Sequence, residues 1–323
     1  PIGYRMVLEG TTKNCGGGKT WWGTWVSCEE NGPTGQIWEV DPFGQYPANM
    51  TVLGELGGNY ESMAYDNREP RLPRFFVTND KASGELRRFT PDPAALDGPD
   101  HGILTTPGII EYLILTPDMA DETQGTFGWT DQRKLGKASA EAHHPNLEGI
   151  DHRDGLLYFV SKRRKELFVL DLDRGTFIKS STESGVFDGQ PDQIVRLMDQ
   201  DETAKAFSST SDGSTTSAAS SLDSSSFSRP PDILYMTEEG GARAGIHGRD
   251  RQGRYLTVLE SPEGADETTG LAFSPNRMHM YFAIQDEGIL YDVIREDGLP
   301  FGGTTLNVKY HQMGEEEQDQ GKD

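Results

Sequence analysis

The chain has 323 residues, with 30 basic side chains against 52 acidic ones and a formal net charge of −22. That balance argues against nucleic acid as a partner, because phosphate contacts draw on clustered lysine and arginine. It also repels a phosphorylated small molecule at long range unless bound cations reverse the local field, and no apolar run approaches the length of a membrane span.

The length suits one large domain or two small ones. Many short β-type runs lie between turn residues, and long helical periods are few, which predicts an all-β sandwich, barrel or propeller. The chain begins at Pro1, which reads as a processed or truncated product. The most distinctive stretch comes early. Asn14-Cys15 and three glycines, Gly16, Gly17 and Gly18, lead through Trp21 and Trp22 to Gly23-Thr24-Trp25-Val26-Ser27-Cys28, then to Glu29 and Glu30. The run 23–28 predicts a strand, the glycines a permissive loop before it, and the three tryptophans core packing. A thiol at one end and two carboxylates at the other suit a transition-metal site with a harder cation nearby. The plainer reading is a buried cysteine and an acidic turn. Two cysteines do not make a disulfide framework, and Cys15 and Cys28 either pair or stay free. Asn49-Met50-Thr51 matches a glycosylation acceptor, which fits secretion.

A repeat follows. An acid-led strand (Glu61 to Asp66) precedes an apolar strand (Arg74 to Asp80) and a third (Gly84 to Phe89). The rhythm returns at Glu148 to Asp151, Leu156 to Ser161 and Glu166 to Asp171. It returns at Asp192 to Val195 with Asp232 to Glu238, and at Thr269 to Phe273, Met280 to Ile284 and Gly288 to Asp292. With the opening stretch this makes about five units of a β-propeller. Residues 91–142 repeat less clearly and read as an insertion or degenerate blade, with one strand at 108–115 and a short helix near 131–142. Residues 4–8 are expected to help close a further blade. Residues 205–229, mostly serine, and the charged tail 314–323 are predicted to be disordered within a single propeller domain.

In a propeller, the first residue of each inner strand points toward a shared axis. Here those residues are Glu61, Glu148, Asp192 and Thr269. Carboxylates gathered from separate blades repel unless cations lie between them, although acids also start strands simply by capping turns.

Asn14-Cys15-Gly16-Gly17-Gly18, Trp22-Gly23-Thr24-Trp25 and Cys28-Glu29-Glu30 resemble the matching segment of PhoX-type alkaline phosphatases, apart from Trp21, where a proline is usual. Thr269-Gly270-Leu271-Ala272-Phe273-Ser274-Pro275 and Ile284-Gln285 resemble that family's ending. Residues 189–194 and 237–241 are similar to an algal branch. The resemblance implies six blades and an iron and calcium site, with Cys15 bridging iron. Cys15, Glu30, Glu61 and Glu148 would be ligands that carry catalysis, joined by Glu29, and the repeat itself adds Asp192 as a metal ligand. It implies hydrolysis of a phosphorylated small molecule, by a monomer outside the cytoplasm. Asn146 stands where the family often has an arginine that would clamp phosphate, and Asn79 where it often has a glutamate. Arg243 and His247 are candidate replacement donors, Asn146 and Gln285 are further candidate substrate contacts, and His143 and His144 lie near the Glu148 strand. Two other readings share the axial carboxylates without needing Cys15. One is a non-catalytic calcium-binding propeller for a glycan or protein partner; the other is a calcium-dependent lactonase-like hydrolase.

Overall fold

The computed structural model describes residues 5–183, 187–197, 233–250, 252–261, 264 and 266–301. The serine-rich stretch 205–229 and the tail 314–323 lie outside the described residues.

Within them the chain is an all-β propeller of antiparallel meanders. The first unit is β1 (Asn14–Lys19), β2 (Trp25–Glu29), β3 (Ile37–Val40) and β4 (Asn49–Met50). The second is β5 (Tyr60–Asp66), β6 (Arg74–Asn79), β7 (Arg87–Pro91) and β8 (Gly108–Pro117). After β9 (Gln124–Thr130) and the helix α1 (Arg133–His143) comes the third, β10 (Leu147–Arg153), β11 (Leu156–Ser161), β12 (Glu166–Asp171) and β13 (Thr176–Ser181). The fourth is β14 (Gln190–Arg196), β15 (Leu234–Glu239), β16 (Gly245–Arg249) and β17 (Tyr255–Glu260). The fifth is β18 (Thr268–Phe273), β19 (His279–Ile284) and β20 (Ile289–Ile294). The inner strands β1, β5, β10, β14 and β18 are neighbours in that order.

Each middle strand packs against the blades on both sides, so its apolar residues run on without alternating. On β6, Phe75 joins the core shared with the first unit and Phe76 the core shared with the third. On β11, Phe159 and Val160 divide the same way between the second and fourth units. A further cluster, with Tyr235, Ile246, Met280 and Phe282, lies between units four and five.

The described residues form five blade-like units, the number legible as repeats, and the C-terminal end expected to help close a further blade lies outside the described residues. The stretch 91–142, read as an insertion or a degenerate blade, holds the expected strand as β8 and the expected helix as α1, and adds β9, which pairs with β8 and then with β13 of the third unit. Residues 5–8 form no strand. Asn49 is half-buried on β4, and Thr51, buried, donates its hydroxyl to Ile37 O at 2.9 Å, so the acceptor pattern has a structural use.

The helix lies on β8. Ser139 Oγ accepts the Leu115 amide at 3.0 Å, and Gly136 leaves room for Tyr112. At its start, Arg133 pairs with the wholly buried Glu85 at 2.6 Å; Arg87 lies 3.1 Å from the same oxygen and donates to the carbonyls of Leu53, Glu55 and Gly57. Trp21 and Trp22 pack on the core between units one and two, as expected, but Trp25 is exposed. Both cysteines are free thiols.

Candidate functional site

Every inner strand breaks register with its neighbour at the same place. The irregularities fall between Asn14 and Gly17, Tyr60 and Met63, Leu147 and Ile150, Pro191 and Ile194, and Thr269 and Ala272. A bulge of this kind re-aims a side chain. The first residues of the five bulges are Cys15, Glu61, Glu148, Asp192 and Gly270. Thr269, expected to complete the set, lies one residue early, and its place falls to a glycine with no side chain to offer.

The bulges need partners for the backbone they free. Opposite two of them stand threonines: Thr78 Oγ1 accepts from the Ser62 amide at 3.0 Å, and Thr237 Oγ1 from the Gln193 amide at 2.9 Å. Opposite the first stands Cys28, wholly buried. Two residues further along each second strand comes another ring: Glu30, Asp80, Lys162 and Glu239.

Glycines let the inner strands meet. A side chain at Gly16 or Gly18 would collide with the carbonyls of Glu61 and Met63 on β5, and one at Gly149 with the backbone of Gln193 and Ile194 on β14. The glycine run is therefore strand, not loop, and it brings Cys15 to Glu61. The thiol donates to Glu61 Oε2 at 2.8 Å.

Two groups of potential ligand atoms result, Cys15 with Glu30 and Glu61, and Glu61 with Asp80 and Glu148; within each, the atoms lie no more than 4.8 Å apart. Two carboxylates at that spacing repel by about 3 kcal/mol at an effective dielectric near 20. The protonation equilibria carry this strain. Burial, with the charges of Asp192, Asp80 and Glu30, holds the Glu61 carboxyl well above its usual range. Burial and then Glu61 and Asp192 do the same to Glu148. Burial, then Glu239, pushes Asp192 up to about 7; burial, then Asp192 and Glu239, pushes Glu267 up to about 8. Glu30, half-buried, is raised by desolvation and then by Asp80. Cys15 is exposed as a residue, but its sulfur is crowded; desolvation and then the Glu61 charge push the thiol up.

One cation stands among these charges. Lys162 Nζ lies 2.8 Å from Glu148 Oε1, 2.9 Å from Asp80 Oδ2 and 2.9 Å from Glu239 Oε2. Burial opposes its charge, and Glu148 and Asp80 outweigh that and push its pKa up.

Cys15, Glu30, Glu61, Glu148 and Asp192 are thus brought together, and Asp192 also accepts from Thr237 Oγ1 at 3.2 Å. The other expected site residues are placed otherwise. Glu29 turns the other way from Glu30, as neighbours on a strand must; it accepts the amides of Thr12 and Gln36 at 2.9 Å and the Trp38 indole at 3.2 Å. Arg243 is exposed, 3.9 Å from Glu260. His247 sits on β16, away from the inner strands, buried between Glu238 at 2.9 Å and Phe187. Asn146, left-handed at φ 55°, donates to Asp80 Oδ1 at 2.7 Å and so positions a carboxylate of the cluster. Gln285 is exposed and donates to Glu267 Oε2 at 2.8 Å, at the edge of the same network. His144 is buried against Phe159 and Phe168, and burial brings its pKa down to about 3.

Sequence reading missed Asp80, Lys162, Glu239 and Glu267. The signal for two of them, Asp80 and Glu239, was the repeated pair after the second strand, Glu29-Glu30, Asn79-Asp80 and Glu238-Glu239, with Ser161-Lys162 as the exception.

No family model matches the chain, and no curated protein matches it. Among solved structures, it is similar to Pseudomonas fluorescens PhoX in complex with vanadate, a transition state analogue. The overlay has a TM-score of 0.63 at 14% identity and covers 92% of this chain and 72% of that one. At that identity the likeness speaks for the fold. A putative 6-phosphogluconolactonase from Bacteroides fragilis overlays with a TM-score of 0.43 at 10% identity, covering 91% of this chain and 83% of that one. A luciferin-regenerating enzyme overlays with a TM-score of 0.41 at 13% identity, covering 93% of each. Neither bears on the site.

Proposed function

We propose that this chain is a metal-dependent phosphomonoesterase of the PhoX kind, with its metal centre at the bulged ends of the inner strands. The observation that carries the reading is the convergence of one thiol and several buried carboxylates, from four separate blades, on a common point. The propeller overlay with PhoX and the motif around Cys15 support it.

The donor set fits two kinds of ion. Cys15, Glu30 and Glu61 offer a sulfur and two oxygens, which suits iron. Glu61, Asp80 and Glu148 offer oxygen alone, which suits calcium. Bound there, cations would offset the charge of phosphate oxygens and stabilise the transition state. The residues themselves hold and orient the ions: Glu61 belongs to both groups, Asn146 fixes Asp80, and Thr237 fixes Asp192. A phosphorylated small molecule is the substrate in this reading, and the setting is extracytoplasmic. Among the described residues no helix is long and apolar enough to cross a membrane.

The test is metal analysis of native protein together with hydrolysis of an aryl phosphate at alkaline pH. Iron with calcium, turnover lost in a strong calcium chelator, and turnover lost in Cys15→Ala are expected. Turnover that survives chelation or Cys15→Ala would refute the proposal. A second reading, a calcium-binding propeller without catalysis, is favoured by Lys162, which already neutralises part of the cluster. It predicts calcium without iron, and calcium binding that survives Cys15→Ala.

A further inference from the structure

Lys162 occupies a place in a ring. Its counterparts in units one, two and four are Glu30, Asp80 and Glu239, each two residues past the point opposite the inner-strand bulge. Three units supply a carboxylate there and the third supplies an ammonium. That ammonium contacts the ring members on both sides, Asp80 and Glu239, and the bulge residue of its own unit, Glu148. The three oxygens stand 2.8 to 2.9 Å from one nitrogen. Glu148 is 2% exposed, and its Oε1 makes the shortest of the three contacts with Nζ. Carboxylate oxygens are the ligands a calcium ion takes, and three of them from separate blades already surround this one positive charge.

We infer that Lys162 is a built-in replacement for one divalent cation, filling the Asp80–Glu148–Glu239 corner of the mouth and leaving exchangeable metal to the two groups that share Glu61. Lysine is a compact, strongly hydrated point charge on a flexible stem. Delivered from the end of β11, it balances charge without depending on free metal. The carboxylates remain if the ammonium is removed, so they should then accept a divalent cation. The inference rests on the cation-site reading above.

The experiment compares wild type, Lys162→Met, Lys162→Gln and Lys162→Arg after equilibration with calcium chloride and dialysis. Metal per chain is counted by elemental analysis, and melting temperature is read in chelator and in calcium. Lys162→Met and Lys162→Gln should each retain about one more calcium per chain than wild type. Calcium should raise their melting temperatures by more than it raises that of wild type, and Lys162→Arg should keep the wild-type count. Equal counts in wild type and Lys162→Met would overturn the inference. So would failure of both neutral variants to fold even with calcium, since the ammonium would then not be exchangeable for a cation. The two readings fail separately. Metal in wild type with none gained in Lys162→Met sinks only the role given to Lys162. No metal in wild type, with calcium gained in Lys162→Met, sinks only the metal-dependent phosphatase.

Discussion

Stripped of metal, the mouth should be a source of instability that grows with pH, and Asp192→Asn isolates one part of it. Asp192 is buried, with a pKa raised from 3.8 to about 7 by desolvation and by Glu239. For an acid raised in the folded state, stability is complete below the unfolded value and is lost as pH rises through the folded one. The window here runs from 3.8 to about 7. At 1.36 kcal/mol for each tenfold change, the loss attributable to Asp192 is about 4 kcal/mol. The amide that replaces the carboxyl could still accept from Thr237 and carries no charge. Urea unfolding in chelator, from about pH 4 to about pH 8, should show wild type weakening as pH rises. Asp192→Asn should fall less steeply and end more stable by several kcal/mol. Saturating calcium should narrow the gap by stabilising wild type. A flat wild-type profile, or an Asp192→Asn variant less stable than wild type near pH 8, would refute the reasoning.

Glu85→Ala leaves the buried Arg87 without its carboxylate and leaves Arg133, at the start of α1, only the carbonyls of Leu56 and Gly57; a cost of about 3–5 kcal/mol is expected in urea unfolding, and a cost under about 1 kcal/mol would show that the pairing is not structural. Gly149→Ala forces β10 and β14 apart, because the new methyl would meet the backbone of Gln193 and Ile194. It should cost about 1–3 kcal/mol and lower the metal content together with the stability, and unchanged metal content would mean that the approach of those strands does not set the site.

The five units were legible because each middle strand is buried on both faces and so keeps one apolar signature. The acid leading several inner strands was legible for a related reason, since the bulge needs the same kind of residue wherever it aims a side chain inward. What escaped is what depends on partners distant in sequence. Nothing local in 108–130 announces that its strands will pair across two blades. Of Glu29 and Glu30, strand alternation permits only one to face the mouth, yet which one depends on the register with β1. Lys162 is not legible in the sequence, because a cation among carboxylates carries no signal of its own until the ring position is known. His247 follows a glycine pair like those near the mouth, but it lies on a third strand, a full strand-width further out.

The pairing of β9 with β13 makes units two and three one continuous sheet from β5 to β10, with Glu61 on β5, Glu148 on β10, and Asp80 and Lys162 just past the ends of β6 and β11. Cys15 and Glu30 come from the separate sheet on one side, and Asp192 and Glu239 from the separate sheet on the other. An ion held by Cys15, Glu30 and Glu61 would therefore tie two sheets together, whereas one held by Glu61, Asp80 and Glu148 would sit between the two ends of a single sheet.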